Sequence, residues 1–270
     1  MSNLLIHSMA EFSDLILGSL RLSGARNIVE IGAEFGGMSQ LLADYAVASD
    51  GCLISIDPAP RAEFVAWANS APGVTHLPAA SLDVIDKLQD VDAWVIDGDH
   101  NYYTVLHELM AADALCRREA KPLLAFLHDV SWPTARRDMY YAPDRIPAEH
   151  RHPHTFNAGT MLDRAELVPG QGFRGGNDWA MANHIGGPRN GVLTAVEDFI
   201  AAERAKGREL AWAHVPAVFG LGILFDATAP WSGDVALHVA PFHNNALLAA
   251  MERNRLRNYM KVIEWQDRAA

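Results

Sequence analysis

The chain has 270 residues, half of them hydrophobic and a fifth charged, an ordinary composition for a globular protein with an α/β core. With 33 acidic against 22 basic residues the net charge is −11, so the surface repels phosphate backbones and a nucleic-acid substrate is disfavoured. No apolar run is long enough to span a bilayer, and no signal-peptide pattern opens the chain. The two cysteines lie in apolar segments, which disfavours a disulfide framework. We expect one cytoplasmic domain over residues 1–270 that acts on a small molecule, with no nucleic-acid or membrane partner.

The first predicted element is an amphipathic helix. Ser8 and Glu11 have the spacing of a capping box, and Phe12, Leu15 and Ile16 then recur at helical spacing. We expect this helix to cover the sheet.

A strand, a glycine-rich turn and a helix follow. Residues 28–31 have the pattern of a short buried strand, and the turn contains Gly32, Gly36 and Gly37. Glycines let the backbone approach a ligand closely, and the N-terminus of the next helix offers free N–H groups. The spacing is not the G-x-G-x-x-G of dinucleotide-binding proteins, and the acidic Glu30 at the strand end disfavours a pyrophosphate and favours a cation.

The pattern E-I-G-x-x-x-G-G-x-S over residues 30–39 resembles the first motif of class I S-adenosylmethionine-dependent methyltransferases. The resemblance implies that Glu30 holds the ammonium group of the methionine portion, directly or through water. It also places Gly32, Gly36, Gly37 and Ser39 among the cofactor-binding residues. A common form of the motif has glycine where this chain has Glu34. A tight turn in some other α/β protein is the alternative reading of this stretch.

The next two strands are predicted at residues 52–56 and 74–77. The first ends at Asp57, whose position beyond the glycine turn suits an acid that binds ribose hydroxyls. A helix is predicted over residues 61–71. In the resembling family the segment after the third strand borders the adenine, so Ser81 becomes a cofactor-binding candidate, or else the N-cap of a helix that runs to Leu88.

The fourth and fifth strands carry the second specific match. The fourth, residues 93–96, ends in Asp97-Gly98-Asp99-His100, which is similar to the D-G-D-H-x-Y signature of a small-molecule branch of these methyltransferases. The fifth, residues 123–127, ends in His128-Asp129, where members of the family commonly have an H-D or D-D pair. The match implies cofactor contact by Asp97 and His100.

Polar residues thus follow the carboxyl ends of successive predicted strands, and ligands of parallel sheets bind at that edge. Asp97, His128 and Asp129 could hold a divalent metal that activates a hydroxyl acceptor. The histidine favours Mn²⁺, Fe²⁺ or Zn²⁺ over Mg²⁺. His100, His128 and Asp129 are the catalytic candidates, with His100 as an alternative general base and a strand-end hydrogen-bonding role open for His128.

Residues 131–190 are broken by prolines and contain six large aromatic residues, which predicts an ordered lid over the substrate pocket. A helix after Gly191, two strands at residues 210–215 and 221–225, and a final helix with Leu256 and Ile263 on one stripe complete the chain. That helix could pack on its own domain or mediate a homo-oligomer.

The predicted fold is α/β, a Rossmann-like seven-stranded, mostly parallel sheet with helices on both faces and a lid insertion at 131–190. The predicted function is S-adenosylmethionine-dependent methyl transfer to a small molecule, most readily a hydroxyl of a sugar or natural product, with a divalent metal as a possible aid. The alternatives are a nicotinamide-dependent oxidoreductase and a non-catalytic cofactor-binding regulator.

Overall fold

The computed structural model describes residues 8–269, and its strands are numbered in chain order. Residues 1–7 and 270, which the single predicted domain included, lie outside this range. The strands are β1 (Ile28–Ile31), β2 (Leu53–Ile56), β3 (Val74–Leu77), β4 (Ala93–Ile96), β5 (Leu124–His128), β6 (Met139–Tyr140), β7 (His154–Thr155), β8 (Ala158–Gly159), β9 (Val168–Pro169), β10 (Ala180–Ala182), β11 (Leu210–Val215) and β12 (Leu221–Asp226).

Seven α-helices are described. They are α1 (Ser13–Ser23), α2 (Gly37–Ala48), α3 (Ala62–Ala68), α4 (Tyr102–Arg118), α5 (Val192–Ala205), α6 (Ser232–Val239) and α7 (Ala246–Ala269). Short 3-10 helices cover Met9–Phe12, Ser81–Asp83, Ile85–Lys87, Pro143–Arg145 and Ala148–His150. Among the described residues no helix combines the length and apolar character that a membrane crossing requires.

The central sheet has seven strands in the order β11-β12-β5-β4-β1-β2-β3. β1 to β5 pair in parallel, whereas β12 pairs antiparallel with both β5 and β11. The carboxyl ends of the five parallel strands therefore meet at one edge. Leu221, the first residue of β12, lies opposite His128, the last of β5, so the turn between β11 and β12 reaches the same edge. This arrangement confirms the predicted fold class.

Two hydrophobic clusters lie on opposite faces of the sheet, because neighbouring residues of a strand point to opposite sides. Ile28 of β1 packs with α1, α2 and α6, whereas Val29 packs with α4 and α5. In β4, Ala93 and Val95 join the first cluster, and Trp94 and Ile96 join the second. The helices on both faces are as predicted.

Several predicted boundaries are wrong. The helix expected after β3 is replaced by two 3-10 turns, and Ser81 donates its hydroxyl to Glu108 and does not cap a helix. α3 stops at Ala68, three residues before the predicted end. β5 extends through His128, which places that histidine inside the sheet. α6 was not predicted at all.

The inserted segment, residues 131–190, forms two small sheets, β6-β10-β7 and β8-β9. Its strands have only two or three residues. Hydrogen bonds between strands therefore contribute little to the stability of this segment. The carboxylate of Asp138 is buried and accepts hydrogen bonds from the N–H groups of Tyr102 and Gly191 and from the Tyr140 hydroxyl. This side chain ties the insertion to the first residues of α4 and to the residue preceding α5.

Candidate active site

The turn between β1 and α2 passes against the end of β4. Gly32 and Gly36 have φ of 88° and 81°, in the left-handed region that glycine adopts without cost. A Cβ on Gly32 would lie 2.1 Å from the carbonyl oxygen of Asp97, so only glycine fits there. Gly37, the first residue of α2, is exposed. The N-terminus of α2 therefore opens toward the carboxyl edge of the sheet.

Glu30 lies beneath this turn and is only 2% exposed. Its Oε2 accepts hydrogen bonds from the hydroxyls of Ser39 at 2.6 Å and Ser55 at 2.7 Å. Burial raises the pKa of Glu30 to about 7, although the two serine hydrogen bonds oppose the shift. The structure thus places two predicted cofactor-binding residues, Glu30 and Ser39, in contact with each other inside the protein.

Asp57, at the end of β2, fastens the same turn. Its Oδ2 accepts hydrogen bonds from the N–H groups of Ala33 at 2.9 Å and Glu34 at 3.1 Å, and its Oδ1 from Ala59 at 2.8 Å. The side chain is half-buried. Asp57 therefore connects the turn to β2, and its binding of ribose hydroxyls stays a prediction.

Ser81 forms a hydrogen bond to Glu108, an acid that was not among the predicted site residues. Its hydroxyl donates to Oε1 of Glu108 over 2.5 Å, and Glu108, on α4, is 1% exposed. Burial raises the pKa of Glu108 to about 8, and its Oε2 has no hydrogen-bond partner within residues 8–269. The available signal was a glutamate between Val105 and Leu109 on the buried face of α4.

The ends of β4 and β5 bring three potential metal ligands together. One ligand atom from each of Asp97, His100 and Asp129 lies within 4.8 Å of the other two, and Nδ1 of His100 is 3.3 Å from Oδ2 of Asp129. His100 and Asp129 are each 7% exposed. Of the predicted metal set, Asp97 and Asp129 join this group, and His100 completes it.

His128 lies behind the two carboxylates. Its Nδ1 is 3.1 Å from Oδ1 of Asp97 and 3.4 Å from Oδ2 of Asp129, and its Nε2 is 2.9 Å from the carbonyl oxygen of Val218. A carbonyl only accepts, so Nε2 donates and Nδ1 faces the acids. Burial alone would lower the pKa of His128, but the charges of Asp97 and Asp129 outweigh it and hold that pKa well above its usual value.

The inserted segment crosses directly over the D-G-D-H stretch. The N–H of Met139 donates to the carbonyl of His100 at 3.0 Å, and the N–H of Tyr141 donates to Oδ1 of Asp99 at 3.1 Å. Burial raises the pKa of Asp99 to about 6, although its hydrogen bond from Tyr141 opposes the shift. Two backbone N–H groups of the insertion thus donate to the fourth strand end, one to a carbonyl and one to a carboxylate.

Tyr141 is the second site residue that the predictions missed. Its ring is 51% exposed and its centroid lies 5.9 Å from that of His100. Its partial burial and then the charges of Asp129, Asp97, Glu34 and Asp99 raise its pKa. An exposed ring surrounded by acids offers a ligand an apolar face. Six large aromatic residues lie in this segment, and no sequence pattern distinguishes Tyr141 from the other five.

Beside Asp129, three aromatic rings from three parts of the chain pack together. Trp132 lies 5.7 Å from Phe173 and 5.9 Å from Phe219, and Phe173 lies 5.6 Å from Phe219, centroid to centroid. Trp132 and Phe173 are partly exposed. The three rings therefore form a partly exposed apolar cluster.

Comparison with known proteins matches residues 29–130 to a family model described as a methyltransferase domain. No curated protein sequence matches the chain. An O-methyltransferase from Bacillus cereus, solved with S-adenosylhomocysteine, is 15% identical with a TM-score of 0.47, covering 83% of this chain and 85% of that one. A methyltransferase from Podospora anserina, also solved with S-adenosylhomocysteine, is 11% identical with a TM-score of 0.49, covering 81% and 79%.

A third solved structure, an O-methyltransferase of tomaymycin synthesis from Streptomyces achromogenes in complex with S-adenosylmethionine, is 16% identical with a TM-score of 0.47, and 82% of each chain is covered. The matched segment of the family model contains the glycine turn, Asp57, the D-G-D-H stretch and the His128-Asp129 pair. Over residues 29–130 the resemblance to class I S-adenosylmethionine-dependent methyltransferases is therefore confirmed.

Proposed function

We propose that this methyltransferase transfers the methyl group of S-adenosylmethionine to a hydroxyl of a small molecule, with a divalent cation at the carboxyl edge of the sheet. The observation that carries the proposal is the grouping of Asp97, His100 and Asp129, whose ligand atoms lie within 4.8 Å of one another. This group adjoins the glycine turn, since Gly32 packs on the carbonyl of Asp97. Cofactor and acceptor would thus meet at one place.

The residues around the turn fit the cofactor, which supplies a methyl group on a positively charged sulfur. The exposed N-terminus of α2 offers N–H groups to its carboxylate. Asp57 accepts three N–H groups, and a carboxylate has about four lone-pair positions, so it retains capacity for a ribose hydroxyl. Ser81, with Glu108 behind it, borders the adenine in this proposal.

The donor set fits a divalent cation that would lower the pKa of a bound hydroxyl. Two carboxylates and one imidazole favour Mn²⁺, Fe²⁺ or Zn²⁺ over Mg²⁺. We assign Asp97, His100 and Asp129 as ligands. His128 contacts both carboxylates from behind, so it orients them, as groups behind metal ligands commonly do.

The acceptor hydroxyl must lose its proton whether or not a cation is bound, so the site must contain a group that accepts it. If a cation is bound, it would make the acceptor hydroxyl more acidic, and a carboxylate oxygen of Asp129 would accept the released proton. Without one, His100 is the general base, because its ring lies at the same strand ends, with Nδ1 3.3 Å from Oδ2 of Asp129. The two versions differ in their response to a chelator.

Residues 131–190 would form the cover of the acceptor pocket. The hydrogen bonds from Met139 to His100 and from Tyr141 to Asp99 place this segment over the strand ends. The rings of Trp132, Phe173 and Phe219 then exclude water on the side of Asp129. A hydroxylated natural product or sugar derivative with an apolar portion suits such a pocket.

We also propose that the protein forms a homo-oligomer through α7 and is located in the cytoplasm. α7 buries Leu256 and Ile263 against its own chain, so its packing within the domain is accounted for. Leu247, Met251 and Trp265 on the same helix are 68%, 61% and 65% exposed. A second copy could cover them. Both cysteines are free, which a reducing compartment permits.

Titration calorimetry with S-adenosylhomocysteine and NAD⁺, followed by turnover assays with and without EDTA, tests the proposal. We expect binding of S-adenosylhomocysteine alone, and loss of turnover in EDTA that added Mn²⁺ restores. Binding of NAD⁺ without S-adenosylhomocysteine would overturn the proposed cofactor. Full turnover in EDTA would remove the cation and leave His100 as the base.

A further inference from the structure

The turn between β11 and β12, residues 216–220, contains two residues with costly backbone conformations. Val218 has φ of 45° and Phe219 has φ of 62°, in the left-handed region that residues with a Cβ adopt reluctantly, β-branched residues above all. Both side chains are buried, with 9% and 2% of their surface exposed. Strain of this kind persists only where the surrounding structure imposes it, so the contacts of this turn show what holds it.

One peptide group of the turn, between Val218 and Phe219, is held from two sides. Its carbonyl oxygen accepts a hydrogen bond from Nε2 of His128 over 2.9 Å, and its N–H donates to Oε1 of Glu252 over 3.1 Å. The carbonyl and the N–H of a planar trans peptide point in opposite directions, so His128 and Glu252 lie on opposite sides of this group. Fixing the N–H therefore also fixes the direction of the carbonyl.

Glu252, on α7, is a buried hydrogen-bond acceptor. It is 8% exposed, and its carboxylate accepts from Nε of Arg255 at 2.6 Å and from Nη2 of the same side chain at 2.7 Å. Burial alone would raise the pKa of Glu252, but the hydrogen bonds from Arg255 and from the Phe219 N–H outweigh burial and lower that pKa. The guanidinium of Arg255 also lies 5.3 Å from the centroid of the Phe219 ring. A charged carboxylate, itself fixed by its neighbour, thus holds the turn.

On the other side of the peptide, His128 connects the turn to the candidate cation site. While Nε2 contacts Val218, Nδ1 lies 3.1 Å from Oδ1 of Asp97 and 3.4 Å from Oδ2 of Asp129. Because an imidazole ring is rigid, the direction of the hydrogen bond at Nε2 sets where Nδ1 points. A continuous series of contacts therefore runs from Glu252 through one peptide group and one imidazole to two of the three potential metal ligands.

Without Glu252, this peptide group has an alternative orientation of lower strain. A half-turn about the line joining its two Cα atoms would take φ of Phe219 out of the left-handed region. The same half-turn would point the carbonyl of Val218 away from His128 and present an N–H to a ring nitrogen that also carries a hydrogen. The ring would then lose the contact that orients it toward the two carboxylates. The hydrogen bond to Glu252 opposes this change.

We propose that Glu252 is a positioning residue for the cation site. It holds one peptide of the β11–β12 turn so that the carbonyl of Val218 fixes His128, and His128 orients the two carboxylates. The inference rests on the proposed function, because it requires a cation at those carboxylates. Glu252 touches neither the cofactor nor the methyl acceptor in this role, and its effect on the site passes through the imidazole ring.

Two substitutions that preserve most of the side-chain volume separate hydrogen bonding from charge. Glu252→Gln keeps an oxygen that accepts from the Phe219 N–H, whereas Glu252→Leu fills the space and accepts nothing. Mn²⁺ is the probe, titrated by electron paramagnetic resonance, and calorimetry with S-adenosylhomocysteine measures the cofactor side. We expect Glu252→Leu to weaken Mn²⁺ binding about tenfold, as loss of groups behind metal ligands commonly does, with unchanged affinity for S-adenosylhomocysteine. Glu252→Gln should bind both as the wild type does.

Glu264→Leu is the matched control. Glu264 lies on the same helix, and its ion-pair partners Lys261 and Arg268 also belong to α7. Because these contacts stay within the helix and do not reach the turn, the substitution should change neither affinity.

Hydrogen exchange of the ligand-free protein supplies a readout that needs no cation. In the wild type the amide of Phe219 should exchange slowly, and so should the amide of Ser131, which donates to the Phe219 carbonyl over 2.7 Å. Glu252→Leu should speed the exchange of both amides, and Glu252→Gln should speed neither.

The outcomes distinguish this inference from the proposed function. If the wild type binds S-adenosylhomocysteine but no Mn²⁺, the cation of the proposed function fails and this inference fails with it. If the wild type and Glu252→Leu bind Mn²⁺ equally well, the function stands and the inference is overturned. Equal weakening of Mn²⁺ in both Glu252 variants would show that the charge of Glu252 acts on the cation, which also overturns it. Should Glu252→Leu not fold, fast exchange of the Phe219 amide in the wild type would overturn the inference, and slow exchange with normal Mn²⁺ binding by Glu252→Gln would support it.

Discussion

In residues 29–130 the polar side chains of the site lie at the carboxyl ends of parallel strands. The hydrogen bonds of the sheet fix the positions of these strand ends. In residues 131–190 the strands have two or three residues, and buried polar side chains hold the segment. Asp138 is fully buried with three donors. Arg137 is 1% exposed and donates to the carbonyls of Ala182 and Ala165. Loss of the Asp129 charge at a strand end should therefore lower stability less than loss of Asp138, which accepts three hydrogen bonds in the second region.

The largest effect is expected from Asp129→Asn. The substitution removes the charge but keeps the shape, and asparagine tolerates the φ of 60° that Asp129 has. We expect kcat/KM to fall about 100-fold or more, with S-adenosylhomocysteine affinity and melting temperature nearly unchanged. Steady-state kinetics and calorimetry measure the two quantities.

Asp44→Asn, on the exposed side of α2, is the control and should behave as wild type. A large loss of stability in Asp129→Asn would contradict the comparison, because it would make the strand-end acids part of the framework.

The second effect concerns the inserted segment. Asp138→Ala leaves two buried N–H groups and one hydroxyl without their acceptor, at a cost of about 2–4 kcal/mol. Hydrogen exchange should show faster exchange across residues 139–190, while amides of β1, β4 and β5 remain protected.

Asp163→Ala, an insertion residue whose side chain is 76% exposed, should change neither. If Asp138→Ala speeds amide exchange equally in the insertion and in the sheet, the two regions unfold as one unit. That result would contradict the distinction between them.

The smallest effect is expected from Glu108→Gln. The pKa of Glu108 is about 8 in the folded protein. In the unfolded chain it is the ordinary value of about 4.3. The unfolded state therefore binds fewer protons between these values, and stability falls as pH rises through this window. Glutamine does not titrate, so the variant should gain about 1–3 kcal/mol relative to wild type at pH 8.

Chemical denaturation at pH 5 and pH 8 measures this gain, which should nearly vanish at the lower pH. The same difference at both pH values would show that burial of Glu108 does not set the pH dependence.

Much of the strand-end region could be predicted, because its information is local. β3, β4 and β11 have their predicted bounds. In β4 the reason is plain, since a short apolar run bounded by polar residues is the signature of a buried strand. The 3-10 turns after β3 were missed because the hydroxyl of Ser81 has a partner 27 residues away. The prediction of a capped helix considered only neighbouring backbone groups.

The sequence indicated which kinds of residue follow the strands better than it indicated how their side chains are arranged. Asp97 and Asp129 came together as expected, since parallel strands align their carboxyl ends. His100 and not His128 completes the group of potential metal ligands, and β5 extends one residue further than predicted, through the buried His128. Tyr141 could not be singled out, because its place depends on a backbone hydrogen bond to Asp99, 42 residues away.

The sequence by itself determined the α/β sheet, the glycine turn and the polar residues that follow each strand, because strand period and glycine conformations are properties of a few consecutive residues. The tertiary structure decided which acid faces outward. Glu30 and Glu34 stand four positions apart, yet one is buried between two serines and the other is exposed on the turn. That difference arises from packing between β1, β2 and α2, which brings Ser39 and Ser55 to one side of Glu30.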